Sequence, residues 1–125
     1  MIVLDTSALA AFLLREPGHE MIAAHLGAAC ISTVNMVEVY GRMAREGIQP
    51  RALGVRLDGL GLEVVAFDPA QAVIAGDLRD FARANGVSLG DCCCLALAIN
   101  RVLPVLTGDR AWQRLGFGLE VRLFR

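Results

Sequence analysis

The chain has 125 residues, of which 55% are hydrophobic and 20% are charged, and its formal net charge is −1. This length predicts one domain over residues 1–125 with a core of its own, and the near-zero net charge excludes the strongly basic field typical of many nucleic-acid-binding domains. All 12 basic residues are arginine, so any mechanism that needs a lysine is excluded as well.

No segment of the sequence is typical of a secretory signal or a membrane span. The start, MIVLDTS, has no basic residue and meets an acid at Asp5, and the longest uncharged stretch, residues 21–37, is interrupted by polar residues. Four cysteines, three of them adjacent, make a poor disulfide framework. A cytoplasmic protein with reduced thiols and no membrane contact is therefore expected.

In chain order, short apolar runs alternate with stretches of helical character. The first run, MIVLD, predicts a buried strand that ends in an acid, and the helix after it is stopped by Pro17 and Gly18. HEMIAAHLGA predicts a further short helix. A second strand, ACIS, leads into a helix that ends at Gly47, and Pro50 suits the first turn of the next helix.

The second half continues the alternation, with LEVVAF as a third strand. The longest predicted helix has Asp68 as its N-cap and Gly86 as its stop, and the next helix, SLGDCCCLALAINR, starts with a capping box of Ser88 and Asp91. LPVLTG predicts a fourth strand, DRAWQRLG a short helix and LEVRLF a possible last strand. This order predicts an α/β fold, a three-layer α/β/α sandwich around a mainly parallel sheet of four to five strands.

Acidic residues cluster at the predicted strand ends, where ligands gather in open parallel sheets. Asp5 ends the first strand, Asp109 comes just after the fourth, and Asp91 lies in the first turn of the helix that leads into the fourth. Each of the three also has a purely structural interpretation as a helix-capping residue. Taken singly, none of them requires a function.

Glu38 is less easily explained as a surface residue, because it lies in the apolar helical stretch TVNMVEVYG. Its neighbours on the same helix face are Val34 and Gly41, which predicts that its carboxylate lies close to packed structure. A buried carboxylate is costly unless it is paired or bound to a metal. The alternative is that Glu38 faces solvent between apolar neighbours.

Together the four acids indicate a metal site. Carboxylates that converge at one sheet edge repel each other and raise each other's pKa, and the chain has no lysine to neutralise them. A divalent cation would relieve the repulsion, and hard oxygen ligands select Mg²⁺ or Mn²⁺. Such sites commonly carry out phosphoryl chemistry.

The order and setting of these acids resemble the PIN-domain ribonucleases, specifically the VapC-type toxins of bacterial toxin–antitoxin pairs. The matching stretches are IVLDTSAL, ISTVNMVEVYGRM, GVSLGDCCCLALA and LPVLTGDRAW, and they span nearly the whole chain. The resemblance implies a compact α/β/α fold and an acidic Mg²⁺ site that hydrolyses RNA phosphodiester bonds. It also implies a homodimer and a cognate antitoxin protein whose C-terminal segment wraps the toxin and blocks its site.

Carried over residue by residue, the resemblance implies a catalytic set of Asp5, Glu38, Asp91 and Asp109. Asp5 and Asp91 would be direct or water-bridged metal ligands, and Asp109 would complete the metal shell. Glu38 would orient water or a second metal ion.

The resemblance also assigns supporting positions around the acids. Ser7 and Thr107 match small polar positions whose hydroxyls could hydrogen-bond the carboxylates. Gly108 departs mildly from the family pattern, in which many relatives carry a small non-glycine residue. Arg110, directly after Asp109, is the candidate contact to RNA, because arginine binds phosphate well and positive charge can be local in a chain of near-zero net charge.

Three alternatives belong to other functional classes. A haloacid-dehalogenase phosphatase needs a second aspartate two residues after the first, where this chain has Ser7, and it needs a catalytic lysine. A receiver-type phosphoacceptor domain relies on a lysine too. A catalytically silent PIN-like binding module is less favoured because all four acids are present, but the sequence leaves this alternative open.

The three adjacent cysteines are interpreted as packing residues. Successive helix residues point about 100° apart, so Cys92, Cys93 and Cys94 cannot converge on one metal. Adjacent cysteines on a helix are also badly placed for a disulfide, and free cysteine packs as a small hydrophobic residue. At least two of the three are expected to be buried.

Overall fold

A computed structural model describes residues 1–125 and contains five strands and six α-helices. The strands are β1 (Ile2–Leu4), β2 (Ala29–Ser32), β3 (Glu63–Val65), β4 (Val105–Thr107) and β5 (Val121–Leu123). The helices are α1 (Thr6–Leu13), α2 (His19–His25), α3 (Thr33–Arg45), α4 (Pro50–Asp58), α5 (Pro69–Ala84) and α6 (Leu89–Arg101). The short helix predicted for DRAWQRLG is a 3₁₀ helix, Arg110–Arg114, and another 3₁₀ turn, Leu26–Ala28, follows α2. Each strand and helix predicted from the sequence is therefore present.

All five strands pair in one sheet with the order β3-β2-β1-β4-β5. Every pair is parallel, and β1 lies at the centre between β2 and β4. The carboxyl ends of the strands therefore lie at one edge of the sheet. At that edge the chain passes from β1 into α1, from β2 into α3 and from β4 to the 3₁₀ helix. We refer to it below as the carboxyl edge.

Helices cover both faces of the sheet, because successive strand residues point to opposite sides. Ile2 and Leu4 of β1 pack into one core with α1, α3 and α4, whereas Val3 packs into a second core with α5 and α6. This arrangement confirms the predicted three-layer α/β/α sandwich around a parallel sheet. No helix is long and apolar enough to cross a membrane.

Helix α6 contains the longest continuous run of buried residues in the chain and carries the three adjacent cysteines. Cys92, Cys93 and Cys94 are all buried and free, as is Cys30 on β2. Their burial continues unbroken through Ala98. The interpretation of these thiols as packing residues is thus confirmed, and they fix α6 against the sheet with its N-terminus at the carboxyl edge.

Candidate active site

Asp5 lies at the centre of the carboxyl edge and is only 5% exposed. It caps α1, since its Oδ1 accepts a hydrogen bond from the Ala8 backbone N–H at 2.8 Å. The Ser7 hydroxyl donates to the same carboxylate, with its Oγ 2.7 Å from Oδ1, and the Thr107 hydroxyl donates to Oδ2 at 2.6 Å. The expectation that Ser7 and Thr107 support a carboxylate therefore agrees with this geometry. Asp5 can therefore cap α1 and belong to the site at the same time.

Two backbone groups extend this network from Asp5 to the segment after β4. The Gly108 N–H donates to Ser7 Oγ at 3.0 Å, and the Asp109 N–H donates to Thr107 Oγ1 at 3.0 Å. The Ser7 and Thr107 hydroxyls thus each accept a hydrogen bond from a backbone N–H that follows β4, and each donates one to the Asp5 carboxylate. These bonds connect the end of β1 to the segment after β4. This network positions Asp109 relative to Asp5 through shared hydrogen bonds.

Asp91 and Asp109 each use one carboxylate oxygen to cap a helix. Oδ2 of Asp91 accepts from the Ser88 N–H at 3.0 Å, and Ser88 Oγ accepts from the Asp91 N–H at 3.1 Å, which completes the predicted capping box. Oδ1 of Asp109 accepts from the Ala111 N–H at 2.9 Å. Each residue keeps a second oxygen that accepts no hydrogen bond from the protein, so the caps fix the side chains without using both ligand atoms.

Glu38 is exposed, as in the alternative interpretation, and its carboxylate at the same time lies close to packed structure, against Gly90 and Asn35. On its helix face Val34 is only half-buried and Gly41 is exposed, which makes this face the rim of the site rather than its floor. The carboxylate is nevertheless fixed, because Oε1 accepts from the Thr6 hydroxyl at 2.6 Å and from the Asn35 amide at 3.0 Å. Oε2 accepts no hydrogen bond from the protein.

Asn35 connects the three helices around the site and was not identified from the sequence. It is 1% exposed, and its Nδ2 lies 3.0 Å from Glu38 Oε1, 3.1 Å from the Gly90 carbonyl oxygen and 3.3 Å from Thr6 Oγ1. One buried amide thus joins α1, α3 and the first turn of α6. A signal for it was available, because a polar residue three positions before Glu38 shares its helix face within an apolar stretch.

Gly90 makes room for the Glu38 carboxylate beside Asp91. A Cβ atom at Gly90 would lie 2.6 to 2.8 Å from the three atoms of the Glu38 carboxyl group. Real Cβ contacts do not reach such distances, so the absence of a side chain at this position lets the Glu38 carboxylate lie against the start of α6. No sequence pattern marks Gly90, because the contact joins residues that are distant along the chain.

The electrostatics of the site show that these acids are close enough to interact. Burial raises the pKa of the Asp5 carboxyl, against hydrogen bonds from Thr107, Ser7 and Ala8, and repulsion from Asp91 adds to the rise. Burial also raises the pKa of Asp91, and repulsion from Glu38 and Asp109 adds to it. Asp91 is therefore the residue whose charge interacts with all three of the other acids.

No cationic side chain neutralises the four acids. The molecule has six ion pairs, and none of them involves Asp5, Glu38, Asp91 or Asp109. The available ligand atoms are hard carboxylate and hydroxyl oxygens, the type that Mg²⁺ and Mn²⁺ prefer. The chemistry of the donor set therefore fits a divalent cation.

The side chains as they stand do not form a complete coordination shell. No group of three or more histidine, cysteine, aspartate or glutamate side chains is arranged to hold a metal ion. The residues that would hold an ion at this edge are Asp5, Asp91 and Asp109, and Mg²⁺ commonly takes the rest of its ligands from water. This matches a site in which some of the acids act through water.

Arg110 lies on the outer side of this arrangement. It is exposed at the start of the 3₁₀ helix and makes no ion pair or side-chain hydrogen bond within the chain. Its guanidinium is therefore available to a ligand that approaches Asp109.

A family model described as the PIN domain matches residues 2–118 of the chain. No curated protein matches the sequence. Several solved structures share the fold at low sequence identity. A DNA-bound VapBC complex from Salmonella typhimurium superposes with a TM-score of 0.73 at 23% identity, with 100% of both chains covered.

Two further structures give the same result. A toxin–antitoxin complex from Klebsiella pneumoniae has a TM-score of 0.77 at 16% identity and covers 100% of this chain and 98% of its own. VapC20 from Mycobacterium tuberculosis, described as a sarcin–ricin loop cleaving toxin, has a TM-score of 0.74 at 17% identity and covers 98% of this chain and 99% of its own. At these identities the likeness establishes the fold.

Proposed function

This chain belongs to the PIN-domain family, and on that basis we propose that it is a divalent-metal-dependent endoribonuclease that hydrolyses RNA phosphodiester bonds. The observation that carries the proposal is the set of four acids at the carboxyl edge, in which Asp91 is repelled by each of the other three and none has a cationic partner within the chain. Such a set is unfavourable for stability alone and suits the binding of a cation.

Asp5 and Asp91 are the proposed metal-holding residues, with Asp109 completing the set through its free oxygen. A bound Mg²⁺ or Mn²⁺ would stabilise negative charge on the phosphate and lower the pKa of water. The protein's own part is positional. Ser7 and Thr107 fix the Asp5 carboxylate, and the caps fix Asp91 and Asp109.

Glu38 is proposed to orient the attacking water. Its Oε1 is held by Thr6 and Asn35, and its Oε2 is free to accept a hydrogen bond from that water. The side chain lies at the exposed rim, where both water and RNA can reach it. A positioned carboxylate of this kind acts as a general base or an orienting group.

We further propose that the chain is the toxin of a type II toxin–antitoxin pair, active in the cytoplasm and working as a homodimer. Support comes from the fold shared with VapBC and VapC structures, which include toxin–antitoxin complexes. The partners that follow are an RNA substrate and an antitoxin protein. The opposing proposal, a silent PIN-like binding module, is disfavoured by the hydrogen bonds that hold all four acids in place.

A cleavage assay with and without metal tests this function. The purified protein is expected to cut single-stranded RNA in Mg²⁺ or Mn²⁺ and to lose activity in excess EDTA, because its own residues supply no cation to the site. The same metal at ten times its Kd is expected to stabilise the folded state by about 1.4 kcal/mol, measured as a rise in Tm. Cleavage that persists in EDTA, or no cleavage in either metal, contradicts the proposal.

Arg110 is the proposed RNA contact beside Asp109, and its replacement by alanine gives a direct test. Arg110→Ala is expected to reduce cleavage roughly tenfold by removing a charge-assisted bond to phosphate, with no change in Tm, because the side chain has no partner in the fold. Arg122→Ala is the control, since Arg122 is exposed but lies beside Met1 and Pro104, away from the carboxyl edge. Equal cleavage rates for the two variants would remove Arg110 from the site.

A further inference from the structure

Two arginines that both approach one half-buried glutamate flank the acidic site, and we infer that Arg42 and Arg125, beside Glu16, form a binding subsite for a backbone phosphate of RNA next to the one that is cleaved. The inference rests on the proposed ribonuclease function, because a flanking phosphate subsite needs a nucleic-acid substrate.

Glu16 lies just beyond α1 and contacts both arginines. Its Oε2 is 3.6 Å from Arg42 Nη2, and its Oε1 is 3.9 Å from Arg125 Nη1. Oε1 is buried and accepts no hydrogen bond, so its closest electrostatic partner is a guanidinium. The side chains of Arg42 and Arg125 remain 37% and 41% exposed, so solvent and ligands can reach both.

The segment that carries Arg125 is fixed at the carboxyl edge by two glycines. A Cβ atom at Gly18 would lie 2.1 Å from the carbonyl oxygen of Phe124, and Gly18 has a φ of +91°, so only glycine fits there. On the other side, a Cβ atom at Gly108 would lie 2.9 Å from both Arg125 Nε and the Phe124 ring. Arg125 also stacks on that ring, with Cζ 5.0 Å from its centroid.

Gly108 connects Arg125 to the site acids. It precedes Asp109, and its backbone N–H donates to Ser7 Oγ, which in turn donates to Asp5. The Arg125 side chain therefore lies against the backbone that joins two of the proposed metal-site residues. This close approach gives a physical reason for glycine at the position where the sequence departs from the family pattern.

Arg42 borders the site on the α3 side. It follows Glu38 by four residues on α3, which places the two side chains on one helix face. The hydrogen-bonded set of Thr6, Asn35 and Glu38 lies one turn before it. Arg42 and Arg125 thus reach Glu16 from two different parts of the chain, helix α3 and the segment after β5.

The charge balance of this cluster favours an anion. Within the cluster two guanidinium groups share one carboxylate, so its side-chain charge is +1. A negatively charged ligand would give the two arginines a second acidic partner besides Glu16. Arginine matches phosphate with paired N–H donors, and an RNA strand presents phosphates on both sides of the one that is cleaved.

Binding of a fluorescein-labelled single-stranded RNA in EDTA tests the subsite apart from catalysis. Arg125→Ala and Arg42→Ala are each expected to raise Kd roughly tenfold at low salt and to reduce the slope of log Kd against log salt by about 0.7, the value for one phosphate contact to a single strand. In Mg²⁺ the same variants are expected to raise KM with little change in kcat. Arg125→Gln, with Tm measured for every variant, controls for loss of packing on Phe124.

Arg122→Ala is the matched control, because Arg122 is also ion-paired but lies beside Met1 and Pro104, at the opposite edge of the sheet. Its Kd and salt slope are expected to stay at the wild-type values. If Arg42 and Arg125 variants also keep both values while the wild type cleaves RNA, the subsite is overturned and the proposed function stands. If the wild type binds RNA with the expected arginine dependence but does not cleave it in metal, the nuclease function fails and the phosphate subsite stands.

Discussion

Replacement of Asp5 by asparagine is expected to reduce RNA cleavage by on the order of 10²-fold or more, since even indirect partners of metal ligands contribute about 10- to 100-fold. Asparagine keeps the shape of the side chain and remains a good N-cap for α1. It removes the negative charge at the centre of the carboxyl edge and turns one acceptor oxygen, beside the Ser7 and Thr107 hydroxyls, into an N–H donor. The measurement is the single-turnover rate in saturating Mg²⁺, beside the shift in Tm that the metal produces.

The same change is expected to leave the metal-free protein at least as stable as the wild type. Burial raises the pKa of Asp5, which means that the folded state disfavours its charged form at neutral pH. Neutral asparagine removes this unfavourable term, so Tm in EDTA should be equal or higher while the rise in Tm on adding metal becomes smaller. A variant that unfolds in EDTA would show that the charge of Asp5 has a structural role instead.

Asp68→Asn is the matched control for this substitution. Asp68 caps α5 in the same way, with its Oδ1 2.8 Å from the Gln71 N–H, but it is exposed and belongs to no acidic cluster. The control variant is expected to keep wild-type cleavage and an unchanged response to metal. Equal loss of activity in the two variants would attribute the effect at Asp5 to capping alone.

The part of the site that could be predicted from the sequence is the part built from local structure. Asp5, Asp91 and Asp109 each follow a strand or start a helix, and the structure uses each of them as a cap. Capping and the alternation of strands and helices are local patterns with short spacing, so the sequence predicted both the order of strands and helices along the chain and the edge at which the acids lie.

The part that could not be predicted depends on contacts between distant residues. Asn35 reaches the Gly90 carbonyl across 55 positions of sequence, and Gly108 contacts Arg125 from another element. The apolar sequence neighbours of Glu38 predicted a carboxylate close to packed structure, but they did not show that the helix face it shares is the open rim. Periodicity indicates which residues share a face and does not indicate what covers that face.

Local and distant contacts have different effects on the acids. The caps hold Asp91 and Asp109 by one oxygen each and leave the other oxygen free. Glu38 is not a cap, and it depends on Thr6, Asn35 and the space at Gly90 for its position. The geometry of Glu38 can therefore be changed without disturbing a helix start, which separates function from stability.

Gly90→Ala is accordingly expected to lower cleavage about tenfold or more. The Tm is expected to stay equal or to rise, because alanine in place of glycine in a helix stabilises the folded state by at most about 0.5–1 kcal/mol. The new Cβ would occupy the space of the Glu38 carboxyl group, and this flexible side chain would move away and lose its bonds to Thr6 and Asn35. Gly41→Ala on α3 is the control, since nothing lies within 4 Å of a Cβ there. In a Glu38→Gln background, Gly90→Ala should reduce cleavage little further, because both changes act on the same group. Fully additive losses in that double variant, or wild-type cleavage by Gly90→Ala itself, would show that the space at Gly90 does not position Glu38 for the reaction.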